Sequence, residues 1–335
     1  MTKTRARKRI GHILTLVGVL LLAFLVRRVG LRTLWTTIYQ FGPWYLVTCA
    51  ISATGLMCQA SAWWMIMKAF FQRVALLELF RVKIISDGFN LILPSASLGG
   101  DAMRAFLIKD RVPLHVGVPG VLFDKTIEFV ASVVFLGSGL LLGLLSLRLP
   151  GGLVVPALVS LAITSVGIGL LVVLQKGGLT KGLLKLSAPL PPARRWVLKR
   201  EAKFLAMDES LGPLYTRSNY RAILPVAAHV LARCVGVVEI MVILKVLGTP
   251  ASFIQALFIA TMVTSANTAF FLFPGQWGVT ESVHVLVLQS MGYPPAIGLS
   301  LGLIRRIRKL MFVGLALLLL EVKKRSLPHP ARPAG

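Results

Sequence analysis

Apolar residues gather along this chain in long stretches, at residues 11–26, 44–67, 117–145, 152–174, 222–247, 253–273 and 294–320. An α-helix needs roughly 17 to 25 such residues to cross a hydrocarbon core, and about six to eight spans of an all-α polytopic transmembrane bundle are therefore predicted. Only residues 176–221 have soluble character over any length, and they are too few and too irregular to hold their own core. The expected organisation is one integral membrane domain over 1–325, with a disordered tail at 326–335.

Composition points the same way. The chain is 56% hydrophobic and 15% charged, with a mean hydropathy of +0.79, which excludes a soluble globular domain. Thirty-seven Lys and Arg against twelve Asp and Glu give a net charge of +25. These bases flank apolar spans and form no single patch interleaved with aromatics, so nucleic acid is not the expected partner. They fit cytoplasmic loops facing anionic lipid. Residues 176–221 hold the most basic loop, and both termini are basic, which together predict a multi-pass inner-membrane protein of bacterial type with both ends cytoplasmic. Within that loop, residues 194–215 mix apolar and basic positions and read either as an amphipathic helix on the inner leaflet or as a solvated linker. The second span returns the chain to a basic cytoplasmic turn at Lys68, Arg73, Arg81 and Lys83. Most tryptophans, Trp63 among them, fit anchoring at the membrane interface. Cys49, Cys58 and Cys234 lack metal-ligand spacing and read as small buried hydrophobes; no metal or cofactor is expected.

Two apolar runs are broken in the same manner. The first stops at Pro94 and continues through Gly99 and Gly100 to Asp101 and Arg104. The second stops at Pro274 and continues through Gly275 and Gly278 to Glu281. Proline and acid are seven residues apart in each, and each acid precedes a base, Lys125 or Arg305, by twenty-four. The match is either an internal repeat or coincidence. Proline interrupts a helix, and irregular backbone at membrane depth survives only where protein or a water-filled cavity satisfies it. Paired broken or re-entrant helices in two halves are the best sequence pointer to a transporter's binding site. Helix N-termini near Gly100 and Val279 would also present free N–H groups suited to phosphate.

Ionisable residues at membrane depth cost a few kcal/mol each and are usually retained for function. Arg104, Lys125, Arg305 and Arg306 are candidates for holding an anionic phosphate. Asp101 and Glu281 either cap helix starts, balance those bases or face a cationic headgroup. The run Arg305, Arg306, Arg308, Lys309 lies near mid-membrane if 294–320 is one helix, with Arg306 pointing away from the others. If two shorter helices meet there, the bases snorkel to headgroups instead. Arg233 and Glu239 are six apart and face different helices, while His229 and His284 look isolated.

The two broken segments, with Pro94, Gly99, Gly100, Asp101 and Arg104 in one and Pro274, Gly275, Gly278 and Glu281 in the other, resemble the lysylphosphatidylglycerol synthase transmembrane-region family. These are flippase-like integral membrane proteins, and the resemblance runs over about residues 10–322. Gln276 and Trp277 depart from the usual glycine-rich filling. The resemblance implies movement of an anionic or aminoacylated phospholipid, or of a lipid-linked intermediate, between leaflets. Some relatives carry a soluble aminoacyltransferase domain after this region; the residues past Val322 are too few for one, so no such chemistry is expected here. Two other readings stay open: a membrane-embedded transferase of the phosphatidylglycerol lysyltransferase type, with Asp101, Asp124 or Glu281 as base, and an accessory subunit anchoring a separately encoded lipid or glycan biosynthetic enzyme.

Overall fold

A computed structural model describes residues 32, 35, 39–70, 74–92, 98–147, 151–188, 191–216, 222–269 and 279–325. The apolar stretch at 11–26, the break residues Pro94, Pro274, Gly275 and Gly278, Trp277 and the tail at 326–335 lie outside them. Among the described residues there are twelve helices and no strand. They are α1 (Trp44–Phe70), α2 (Leu76–Ile92), α3 (Leu98–Leu107), α4 (Leu114–Ser146), α5 (Gly151–Lys176) and α6 (Leu179–Ser187). The rest are α7 (Pro191–Leu198), α8 (Glu201–Thr216), α9 (Ile223–Val246), α10 (Phe253–Ala269), α11 (Val279–Ser290) and α12 (Pro295–Arg325).

Four helices are long and apolar enough to cross a membrane, over Trp44–Ala69, Leu114–Ser146, Val154–Val173 and Ile223–Val246. They coincide with the stretches read at 44–67, 117–145, 152–174 and 222–247. The stretch at 253–273 is the shorter apolar helix α10. The 294–320 stretch is one continuous helix, α12, whose 31 residues extend about 46 Å at 1.5 Å per residue. It carries too many bases to register as a span on hydropathy, and its length nonetheless exceeds the hydrocarbon core.

The chain is built from two equivalent runs of helices. Pro94 and Pro274, Asp101 and Glu281, and Lys125 and Arg305 are all separated by 180 positions. Helices α1, α2, α3 and α4 have 27, 17, 10 and 33 residues; α9, α10, α11 and α12 have 24, 17, 12 and 31. Packing repeats too: α2 lies on α12 while α10 lies on α4. Helix α1 crosses α9 at Gly55, against Ala232 and Val235. On one side of that crossing Ile66 clusters with Ala222 and Val226; on the other, Tyr45 clusters with Ile240 and Ile243. The two helices are therefore antiparallel, related by a pseudo-two-fold axis across them. This is the geometry of an inverted repeat.

Each repeat contains a helical hairpin. Gly100 at the start of α3 meets Ser86 and Asn90 near the end of α2. Met103 packs with Ile85 and Phe89, and Ile108 with Leu79 and Val82, so α3 runs back along α2. The shape is the one expected of a re-entrant pair.

Three expectations change. Arg81 and Lys83 do not sit in a turn but within α2, where Lys83 is buried and pairs with Asp87 at 3.3 Å. A helix of mean character, with charges on its inner face, gives no apolar stretch to read. The described residues within 176–221 form the short helices α6, α7 and α8, and a turn at Lys199 and Arg200 divides the segment 194–215 that read either as an amphipathic helix or as a linker; Asp208 on α8 ties it to α6 by accepting from Thr180 Oγ1 at 2.6 Å. Trp63 is fully buried and no interface anchor.

Glycines mark the reciprocal crossings. A Cβ on Gly88 would fall 2.5 Å from the Cβ of Ala316 on α12, and one on Gly139 would strike Thr261 on α10. Overpacking of this kind costs about 1–3 kcal/mol. Gly88→Val and Gly139→Val should each lower the thermal midpoint followed by tryptophan fluorescence in detergent. Gly167→Val on α5, where nothing lies within 4 Å, should leave it nearly unchanged.

Candidate functional site

The buried charges separate into two groups, one per repeat. In the first, Arg104 on α3 is fully buried and donates to Asp124 on α4 at 2.5 Å. It also reaches Asp101 at 3.5 Å and lies 4.2 Å from the centre of the Trp63 ring, a cation–π contact. Lys125 bridges Asp101 at 3.0 Å and Glu128 at 3.1 Å. His229 on α9 completes the shell of Asp124 at 3.1 Å. Each acid meets at least one base, so the desolvation cost of these buried charges is offset locally. The N–H of Gly100 donates to Asn90 Oδ1 at 2.9 Å, so an α2 side chain, not Asp101, caps the start of α3.

The second group is richer in bases. Glu239 on α9 forms ion pairs with Arg305 at 3.4 Å and with Arg308 at 2.8 Å. Arg308 also donates to Ser52 on α1. Arg306 leaves the other face of α12 and pairs with Glu281 on α11. His284 contacts the Thr280 carbonyl through Nδ1 at 2.7 Å and Arg305 through Nε2 at 3.4 Å. The sequence separation of Arg233 and Glu239 onto different partner helices is seen directly: Arg233 donates to Ser132 on α4 and stacks on Phe135, while Glu239 turns to α12.

A cavity of about 200 Å³ opens against this second group. Its ionisable lining is Arg233 from α9, Arg305, Arg306 and Lys309 from α12, and Glu281 from α11. Thr264, Asn267, Thr280 and His284 supply neutral polar groups, and Leu91 and Phe135 bring walls from the first repeat. The cavity therefore lies where the repeats meet. Of the residues singled out from sequence, Glu281, Arg305 and Arg306 are brought together here. Asp101, Arg104 and Lys125 are brought together elsewhere, in the first ion-paired group, and do not line it. Gly99 and Gly100 start α3.

The sequence profile described as "Lysylphosphatidylglycerol synthase TM region" matches residues 12–316. The chain belongs to that family. No curated protein and no solved structure matches it. As a member of the lysylphosphatidylglycerol synthase transmembrane-region family it is a membrane-embedded, multi-pass helical protein. The match spans both repeats, so the cavity between them belongs to the family region.

Sequence reasoning gave too little weight to Arg233, Lys309 and Glu239, and passed over the two histidines. One signal was available: each is polar within an apolar stretch. The partners of Arg233, Glu239 and His229 were not, because each sits on another helix.

Removing one member of a buried pair leaves an uncompensated charge and costs about 3–5 kcal/mol, whereas replacing both with apolar residues is often neutral. Arg104→Met should therefore lower the thermal midpoint sharply. Arg104→Met with Asp124→Leu should recover much of that loss in the same melting measurement.

Proposed function

We propose that the protein moves a phosphate-bearing lipid between leaflets, with the headgroup passing through the cavity between the repeats. The observation that carries this reading is the lining: four bases and one acid around a cavity where the two repeats of a helical membrane bundle meet. A water-exposed cationic cavity inside a membrane bundle offers a path that a phosphate cannot find in hydrocarbon. Helix α11 opens at Val279, with Thr280 and Glu281 on the cavity wall, so its positive dipole end adds to the attraction for an anion. An inverted repeat with discontinuous helices at its interface is the architecture of many carriers, in which two similar halves rock about a shared site.

Arg305 and Arg306 would draw the phosphate in, and Glu281 would hold Arg306 and meet any cationic part of the headgroup. Acyl chains would stay in the bilayer. The ion-paired group around Arg104 and Asp124 would hold the first hairpin in shape. The setting would be a bacterial-type inner membrane with both termini cytoplasmic, because the basic α6–α8 segment favours that side.

The test is a transport assay in liposomes containing the purified protein and a fluorescent phospholipid whose outer-leaflet label is quenched chemically. Wild type should expose inner-leaflet lipid faster than protein-free vesicles. Arg305→Gln and Glu281→Gln should slow it by about tenfold, equivalent to about 1.4 kcal/mol on the barrier. Wild-type vesicles indistinguishable from protein-free ones would overturn the reading. A covalently altered lipid recovered by mass spectrometry would favour the transferase alternative.

A further inference from the structure

The formal charges around the cavity do not cancel, and the remainder has a definite place. All twelve Asp and Glu side chains of the chain lie within the described residues, so no further acid exists to supply a counter-charge. In the first group Lys83, Arg104 and Lys125 face Asp87, Asp101, Asp124 and Glu128, leaving one negative charge. In the second, Arg305, Arg306, Arg308 and Lys309 face Glu239 and Glu281, leaving two positive charges. Arg233 stands between the groups. It bonds Ser132 and feels Glu128, which is already held by Lys125. Together eight bases meet six acids, an excess of two.

That excess falls on two identifiable side chains. Arg305 and Arg306 line the cavity but are already engaged by Glu239 and Glu281. Arg233 and Lys309 line it from different helices, α9 and α12, and neither forms an ion pair. Lys309 is exposed, with its ammonium free to approach a ligand. Two cations on one cavity wall without carboxylates of their own attract counter-charge, so a ligand that supplies two negative charges gains more here than one that supplies one.

We infer that Arg233 and Lys309 form the anion clamp of the cavity, and that it is tuned to a dianionic phosphate, a terminal phosphomonoester or a diphosphate, over a phosphodiester. This rests on the cavity being the headgroup site, and it goes further by naming the ligand class and the residues that select it. A terminal monoester carries close to two charges at neutral pH, because its second ionisation lies near pH 6, whereas a diester such as phosphatidylglycerol carries one. Arg233 can offer a planar fork and Lys309 a mobile point charge. Arg305 and Arg306 still draw the phosphate toward the site, but they share their charge with Glu239 and Glu281 and so discriminate less between one negative charge and two.

The experiment is isothermal titration calorimetry of the full chain in detergent, with four probes: dihexanoylphosphatidic acid, dihexanoylphosphatidylglycerol, inorganic phosphate and pyrophosphate. The monoester lipid should bind about tenfold more tightly than the diester, or better, since each tenfold needs only about 1.4 kcal/mol. Lys309→Gln and Arg233→Gln should each remove most of that preference, and Lys309→Arg should keep it. Lys181→Gln, on exposed α6, is the charge-matched control and should change nothing. Because Lys309 is exposed, its variants should melt as wild type does, so lost binding would not reflect lost folding. Equal affinity for the two lipids, or a preference that survives Lys309→Gln, would overturn the inference; so would no binding by any probe. Binding of phosphate and pyrophosphate alone, lost in Lys309→Gln, would support the dianion clamp and sink its assignment to a lipid. Since binding is read without transport, a protein that binds but does not move lipid would fail only the reading above.

Discussion

The constraint on which this structure depends is that a charge inside a membrane bundle must find an opposite charge on a neighbouring helix. Arg104 shows how completely this is met. It is fully buried, yet two carboxylates from different helices and an indole face enclose it. Such a network contributes little net stability compared with apolar packing, because desolvation consumes most of the Coulombic gain. What it does enforce is registry. The hairpin of α2 and α3 can sit against α4 in only one way without stranding Asp101, Asp124 or Lys125.

The same scaffold carries opposite electrostatics in its two halves. With an offset of 180, Thr126 corresponds to Arg306, Glu128 to Arg308 and Phe129 to Lys309. The sites of one neutral polar residue, one acid and one aromatic in α4 are therefore all basic in α12. Thr126 needs only Gln175, which donates to it at 2.9 Å, whereas Arg306 needs the carboxylate of Glu281. In the first half Asp101 is shared between Arg104 and Lys125; in the second, His284 stands at the Arg104 position and brings no fixed charge. One half thus closes on its own ion pairs while the other is left with bases around open space.

Much of this was legible in the sequence, for physical reasons that also explain the remainder. The long spans were readable because a helix crossing lipid needs unbroken apolar length, and α1, α4, α5 and α9 have it. The repeat was readable at Asp101 and Glu281, with Lys125 and Arg305, because breaks at membrane depth demand proline and glycine at fixed places. Helix α2 escaped notice because Arg81, Lys83 and Asp87 interrupt its apolar pattern, although Lys83 and Asp87 pair one turn apart within the helix and Arg81 stays exposed. Partner choice was the least legible. Equal spacing suggests that Glu281 should meet Arg305 as Asp101 meets Lys125, yet Glu281 takes Arg306. Residues 305 and 306 differ by about 100° around the helix, so which one faces α11 is set by the rotation of α12 against its neighbours. That rotation is fixed by close packing such as Gly298, where a Cβ would come within 2.5 Å of the Cα of Val285.

The shift of partner from residue 305 to residue 306 has consequences for the whole cavity. With Arg306 bound to α11, Arg305 turns toward α9 and shares Glu239 with Arg308. Both acids of the second charged group are then committed, and Lys309, one turn beyond Arg305, is left facing the cavity with no carboxylate to meet. Had the register of the first repeat been kept, Glu281 would have held Arg305, and Glu239 would have stood opposite Arg308 alone. Arg306 would then have pointed its charge at apolar neighbours, at a cost of several kcal/mol. A base at 306 and an acid at 239 fit the rotation that close packing sets, and in that arrangement the cavity at the repeat interface is lined by bases. Duplicated backbones alone would give two closed hairpins; the asymmetry of a few side chains along α12 is enough to make one of them face an empty, positively charged space.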